Sequence, residues 1–95
     1  MKQPTQDATQ LWPKYTMDEI SQHRHEEDGW FVYDGSIYSA SSHLKEIKQL
    51  KTSTYLAILR VLGTDCTDEM IEIGHSDLAW RAISLLKIGE VKQAP

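Results

Sequence analysis

The chain has one cysteine, no excess of basic residues and no long apolar run, and each shortage removes a class of protein. Cys66 alone cannot form an internal disulfide, so the fold must hold without covalent staples, and a reducing compartment suits it. A formal net charge of −4, with scattered Lys and Arg, argues against a nucleic-acid binder. No apolar stretch approaches the ~18 residues of a membrane span. The opening "MKQPTQDATQ" is polar and carries no signal-peptide core, so a soluble, cytoplasmic protein is expected. The spacing offers no nucleophile triad, phosphate-binding loop or paired catalytic carboxylates, so the chain does not read as an enzyme by itself. His23 and His25 in "HRHEED" stand two apart and share no helix face, which speaks against a zinc site.

What is present reads as one small domain. Its 95 residues divide into a disordered polar tail over 1–11, a folded unit over 12–91 and a short tail over 92–95. A unit of this size buries a limited core, so a bound cofactor or partner matters to its stability. The expected class is α+β: a short sheet with several short helices around a cleft.

Local signals place the elements. Thr16 and Glu19 in "TMDEISQH" form a capping box, which starts a helix at Met17 with Ile20 facing inward. Pro13 suits an extended edge segment before it. Asp34-Gly35 in "WFVYDGSIY" separates two β-rich runs and supplies the turn of a two-residue hairpin, with Trp30, Val32, Ile37 and Tyr38 as candidates for burial. Leu44, Ile47 and Leu50 recur at helical spacing. "STYLAILRVLG" predicts a helix capped by Ser53 or Thr54 and ended by Gly63, with Tyr55, Leu56, Leu59 and Leu62 on its inner face. "TDCTDEMIEIGH" predicts a shorter helix capped near Asp65 or Thr67 and stopped at Gly74. "SDLAWRAISLLKIG" predicts the last one, capped by Ser76 or Asp77 and stopped by Gly89.

Taken in order, "YTMDEI" (15–20), "DGW" (28–30), "DGSIYS" (34–39), "GTDCTDEM" (63–70), "IGHSD" (73–77) and "KIGEV" (87–91) resemble the cytochrome b5 family. Members typically hold a b-type haem between two pairs of helices, with two histidines on the iron, and pass single electrons. The resemblance places one ligand on His75, within Gly-His-Ser. The other normally sits in a His-Pro-Gly-Gly turn, which this chain lacks. Counting back from Gly63 puts "KTST" (51–54) in its place, with a few residues inserted in "KEIKQLKTST". A phenylalanine usual before the first ligand is replaced by His43, and one usual five residues before the second by Met70.

Three residues stand as substitutes for the missing ligand. Lys51 holds the aligned position, but an ammonium must shed its proton before it can bind iron. His43 offers an imidazole, the commonest nitrogen ligand, if the inserted segment aims it. Tyr55 is the third, though at helical spacing beside Leu56 and Leu59 such a residue is more often plain core. Cys66, among carboxylates in "TDCTD", is not expected to be reactive.

The cofactor implied is haem b, if any. The sequence favours a haem-poor or haem-free module that binds another protein or serves as a structural domain of a larger assembly. On that reading segment 43–56 fills or reshapes the pocket with Leu44, Ile47 and Leu50. The alternative is a soluble b-type haem protein for electron transfer or haem sensing, with His75 as one axial ligand and a redox partner. Charge bears on the choice. Asp65, Asp68, Glu69, Glu72 and Asp77 keep an acidic half, while Lys45, Lys48, Lys51 and Arg60 make the other half basic, which suits a mixed protein-binding surface.

Overall fold

A computed structural model describes residues 12–92. Strands β1 (Lys14–Tyr15), β2 (Trp30–Tyr33), β3 (Ser36–Ser39) and β4 (Lys87–Val91) form one sheet in the order β1-β4-β3-β2. β1 lies parallel to β4, and the other neighbours are antiparallel. The helices are α1 (Met17–Ile20), α2 (Ser41–Ile47), α3 (Thr52–Val61), α4 (Thr67–Ile73) and α5 (Asp77–Ser84). The expected α+β class is therefore correct.

Several local signals act as read. The Thr16 hydroxyl accepts from the Glu19 N–H at 3.1 Å, and the Glu19 carboxylate accepts from the Thr16 N–H at 2.9 Å. This box ties off a four-residue helix too short to persist alone. It also points Ile20 into the core with no exposure. Asp34 and Gly35 adopt φ of 51° and 80°, the two positive angles of a tight hairpin turn.

The hairpin is buried on both faces. Adjacent side chains of a strand point to opposite sides, so Phe31 and Val32 enter different cores. Phe31 and Tyr38 join Leu44, Ile47, Tyr55, Leu62, Cys66 and Met70 under the helices. Val32 and Ile37 join Ile20, with Tyr15 and Trp30 packed against them. Phe31 is thus a core residue that the alternation-based reading passed over, while Trp30 is only half-buried. The outer edge of β2 is covered by residues 63–66. Gly63 N–H donates to the Trp30 carbonyl, Val32 N–H to that of Thr64 and Cys66 N–H to that of Val32. Pairing this edge removes a template for aggregation.

The helix boundaries differ from expectation in instructive ways. α2 ends at Ile47, so Leu44 and Ile47 are buried while Leu50 is 82% exposed. α3 begins at Thr52 with Lys51 as an N-cap whose side chain makes no cap hydrogen bond, so Ser53 and Thr54 lie inside its first turn rather than capping it. Its inner face includes Tyr55 and excludes Leu56. Leu62 is buried, but just past the helix. At α4 the Asp65 carboxylate accepts from the Thr67 N–H and hydroxyl, and Gly74 stops the helix at φ 74°. Ser76 caps α5 by accepting from the Ala79 N–H.

Gly89 does not stop the last helix. α5 ends at Ser84, and Gly89 sits inside β4. A Cβ there would stand 2.9 Å from the Pro13 carbonyl oxygen and 3.1 Å from the Tyr15 ring. Close passage of β1, not helix termination, requires glycine at this point. Of the expected tails over 1–11 and 92–95, residues 1–11 and 93–95 lie outside the described residues, while the Lys92 N–H donates to the Tyr15 carbonyl.

Candidate functional site

The helical side of the sheet holds a cleft of about 1020 Å³. Phe31 and Ala40, from β2 and the end of β3, line its base. α2 packs on α3 to form one wall, which contributes His43 and Ile58. Met70 from α4, then His75, then Ile83 from α5 supply the remainder. The space is at the upper end of the ~300–1,000 Å³ usual for small-molecule sites. Of the two expected roles of segment 43–56, filling or reshaping the pocket, the cleft left open matches the second, with His43, Glu46, Ser53 and Thr54 in its lining. Leu44 and Ile47 go into the core beneath it, and Leu50 turns to solvent.

Of the residues singled out from sequence, His75, His43 and Met70 line this one cleft, and Lys51 does not. Lys51 is an exposed helix cap with an extended φ of −138°, and its N–H donates to the Ile47 carbonyl. Tyr55 is excluded as a ligand in this arrangement. Its hydroxyl donates to Glu26 at 2.5 Å, and Lys48 approaches the same carboxylate at 3.1 Å. Met70 is buried at 9% exposure in the cleft lining. Its flexible thioether can shape itself to a flat ligand where a phenyl ring would be fixed.

His75 is positioned by the turn between α4 and α5. Gly74 ends one helix in a left-handed conformation, and Ser76 opens the next, so the intervening side chain is held at the cleft. An aromatic relay steadies the ring: Trp80 lies 4.8 Å from His75 and 4.7 Å from Tyr33, centroid to centroid. Trp80 was not singled out from sequence. Its spacing five residues after His75 carries no pattern of its own. The His75 Nδ1 is buried and has no hydrogen-bond partner among the described residues. Such an atom costs roughly 1–3 kcal/mol, and native structures keep one chiefly where a ligand or redox role explains it. An apolar cleft with an imidazole in its lining fits a flat, hydrophobic, metal-centred cofactor.

Other features of the site are structural. Burial pushes the Cys66 thiol up to about 11, with Glu69 and Asp65 adding to it, so the residue is inert as expected, though burial matters more than the carboxylates. His23 stacks flat on Trp30 with centroids 3.5 Å apart, and no group of three metal-ligating side chains occurs among the described residues. The cleft rim is of mixed sign, with Glu46, Arg60 and Glu69 all lining it.

The Glu26–Tyr55–Lys48 cluster ties the loop before β2 to the α2–α3 wall. The Tyr55 hydroxyl, then Lys48, hold the Glu26 carboxyl below its ordinary 4.5. A depressed carboxyl stabilises the fold fully above its unfolded value and loses that contribution as pH falls through the folded one. Tyr55→Phe should therefore be less stable than the parent at neutral pH. The gap should narrow as pH drops below 4.5, which thermal melts across pH will measure.

The model of the cytochrome b5-like haem/steroid-binding domain family matches residues 16–92. The chain is 35% identical over 80 residues to cytochrome b5 of Candida tropicalis, covering 84% of this chain and 59% of that protein. It is 34% identical over 88 residues to nitrate reductase [NADH] 1 of Zea mays, covering 93% of this chain and 13% of the reductase. It thus spans little more than half of the one relative and a small part of the other. Among solved structures, cytochrome b558 of Ectothiorhodospira vacuolata, a prokaryotic homologue of cytochrome b5, superposes with a TM-score of 0.69 at 23% identity, covering 84% of this chain and 99% of that one.

Proposed function

This chain belongs to the cytochrome b5-like haem/steroid-binding family, and we propose that it binds haem b in the α2–α5 cleft through His75 and serves as an electron-carrying domain rather than a catalyst. The observation that carries this reading is the placement of the His75 side chain in the lining of an open apolar cleft. Haem, when bound, supplies a one-electron iron couple. The chain's part is to hold and orient it. Phe31, Ile58, Ile83 and Met70 would keep water from it, and Trp80, against the His75 ring, would steady that ring. Burial from water and the identity of the axial ligand are the protein's levers on an iron potential. The mixed rim charge favours a partner whose own surface mixes signs over a uniformly basic one. Among the described residues no helix is long and apolar enough to cross a membrane.

A second reading, a haem-poor or haem-free protein-binding module, draws on different residues. Leu50 and Leu56 stand 82% and 48% exposed near the α2–α3 turn, where Lys51 is also exposed. Apolar side chains beside charge suit a docking patch. Titration with hemin separates the two. A saturable one-to-one Soret band, weakened at least tenfold in affinity by His75→Ala, supports the haem reading. A spectrum like free hemin at every ratio sinks it and leaves the interaction module.

A further inference from the structure

We propose that His43 supplies the second axial nitrogen, with Glu46 as the carboxylate that orients it. The inference rests on the haem reading above and replaces the missing loop ligand with a helix residue. α2 is pinned by its inner face, since Leu44 and Ile47 are 1% and 7% exposed within the core. Residues three apart on a helix lie on one face, and the face flanking this anchor, about a quarter-turn round, carries His43 and Glu46. Both line the same cleft as His75.

The pair is close enough to adopt the arrangement that metal-binding histidines use. His43 Nδ1 lies 3.9 Å from a Glu46 carboxylate oxygen, an approach longer than a hydrogen bond that a rotamer change of either exposed side chain would close. Ligating histidines almost always give one ring N–H to a carboxylate or carbonyl, which fixes the ring and makes the other nitrogen a stronger donor. Nδ1 facing Glu46 leaves Nε2 as the ligating atom.

The competitors are accounted for. Lys51 lies outside the cleft lining and would have to shed its proton. The Tyr55 hydroxyl is committed to Glu26. Met70 belongs to α4, the helix that leads directly to His75, and so shares its wall.

The test uses the purified chain reconstituted with hemin and read by absorption, electron paramagnetic resonance and redox titration. The parent complex should be six-coordinate and low-spin. His43→Ala should keep the haem but turn it high-spin and five-coordinate, and added imidazole should restore the low-spin signal. His43 is exposed by nearly half, so this variant should fold, and its far-ultraviolet circular dichroism should match the parent. Glu46→Gln should stay low-spin with a raised potential, because the carboxylate no longer favours ferric iron through the ring. A low-spin spectrum that persists in His43→Ala, a five-coordinate parent, or a potential indifferent to Glu46→Gln overturns the assignment while leaving haem binding through His75 intact. Failure of the parent to bind hemin removes the earlier reading and this one together.

Discussion

Leu44→Ala should destabilise the domain by about 2–5 kcal/mol, the range for a buried leucine truncated in a core that cannot fully collapse. Leu44 is 1% exposed and packs in the cluster that contains Phe31, Tyr38, Ile47 and Tyr55. It is the main anchor of α2, whose N-cap makes no side-chain hydrogen bond. The helix thus depends on its buried face more than on its ends. Small domains sit toward the low end of the roughly 5–15 kcal/mol typical of native proteins, so this one change removes a large share of the whole. Urea denaturation should show a lower midpoint at an unchanged slope. A loss below about 1 kcal/mol would mean that α2 is not seated as described.

The same variant links stability to the cleft. A ligand that binds only the folded state adds about 2.7 kcal/mol at a hundredfold excess over its dissociation constant. Hemin should therefore recover much of the Leu44→Ala deficit, and should recover less when His75→Ala is added. Equal effects of hemin with and without His75 would point to non-specific association with exposed apolar surface.

Gly29→Ala should cost about 1–3 kcal/mol, the usual penalty for overfilling a packed site. A Cβ at Gly29 would stand 2.6 and 2.8 Å from the two methyl carbons of Leu62 and 2.9 Å from the His25 carbonyl oxygen. Neither can yield cheaply. Leu62 is 3% exposed, and the His25 oxygen is backbone. The Gly29 carbonyl also accepts from the Ala40 N–H at 2.9 Å, where α2 begins. The substitution thus presses on the end of α3 and the start of α2 together, and the cleft wall they form should loosen. Hemin affinity should fall alongside the melting temperature. A variant as stable as the parent would show that Leu62 has room to move.

How much was legible depended on the range of the interaction. The capping box at Thr16 and Glu19, the Asp34-Gly35 turn and the glycine stop at Gly74 are decided within a few residues, and each behaves as its local chemistry requires. His75 was legible for the same reason, since a helix stop followed by the Ser76 cap dictates the turn that holds it. β4 was not. "LLKIG" continues the helical spacing of α5, and only pairing with β3 on one side and β1 on the other makes its end a strand. Nor was the burial of Phe31, because alternation predicts one covered face and this sheet is covered on two.

The sequence alone determined the short-range features and the family membership, because caps, turns and ordered motifs act along the chain. Whether the cleft is open, and which of His43, Lys51 and Tyr55 borders it, was decided only in three dimensions. The inserted residues are equally helix-compatible on either side of Lys51. Burial of Leu44 and Ile47, with Tyr55 held by Glu26, selects the one rotation of the wall that leaves His43 beside the cavity and Lys51 outside its lining.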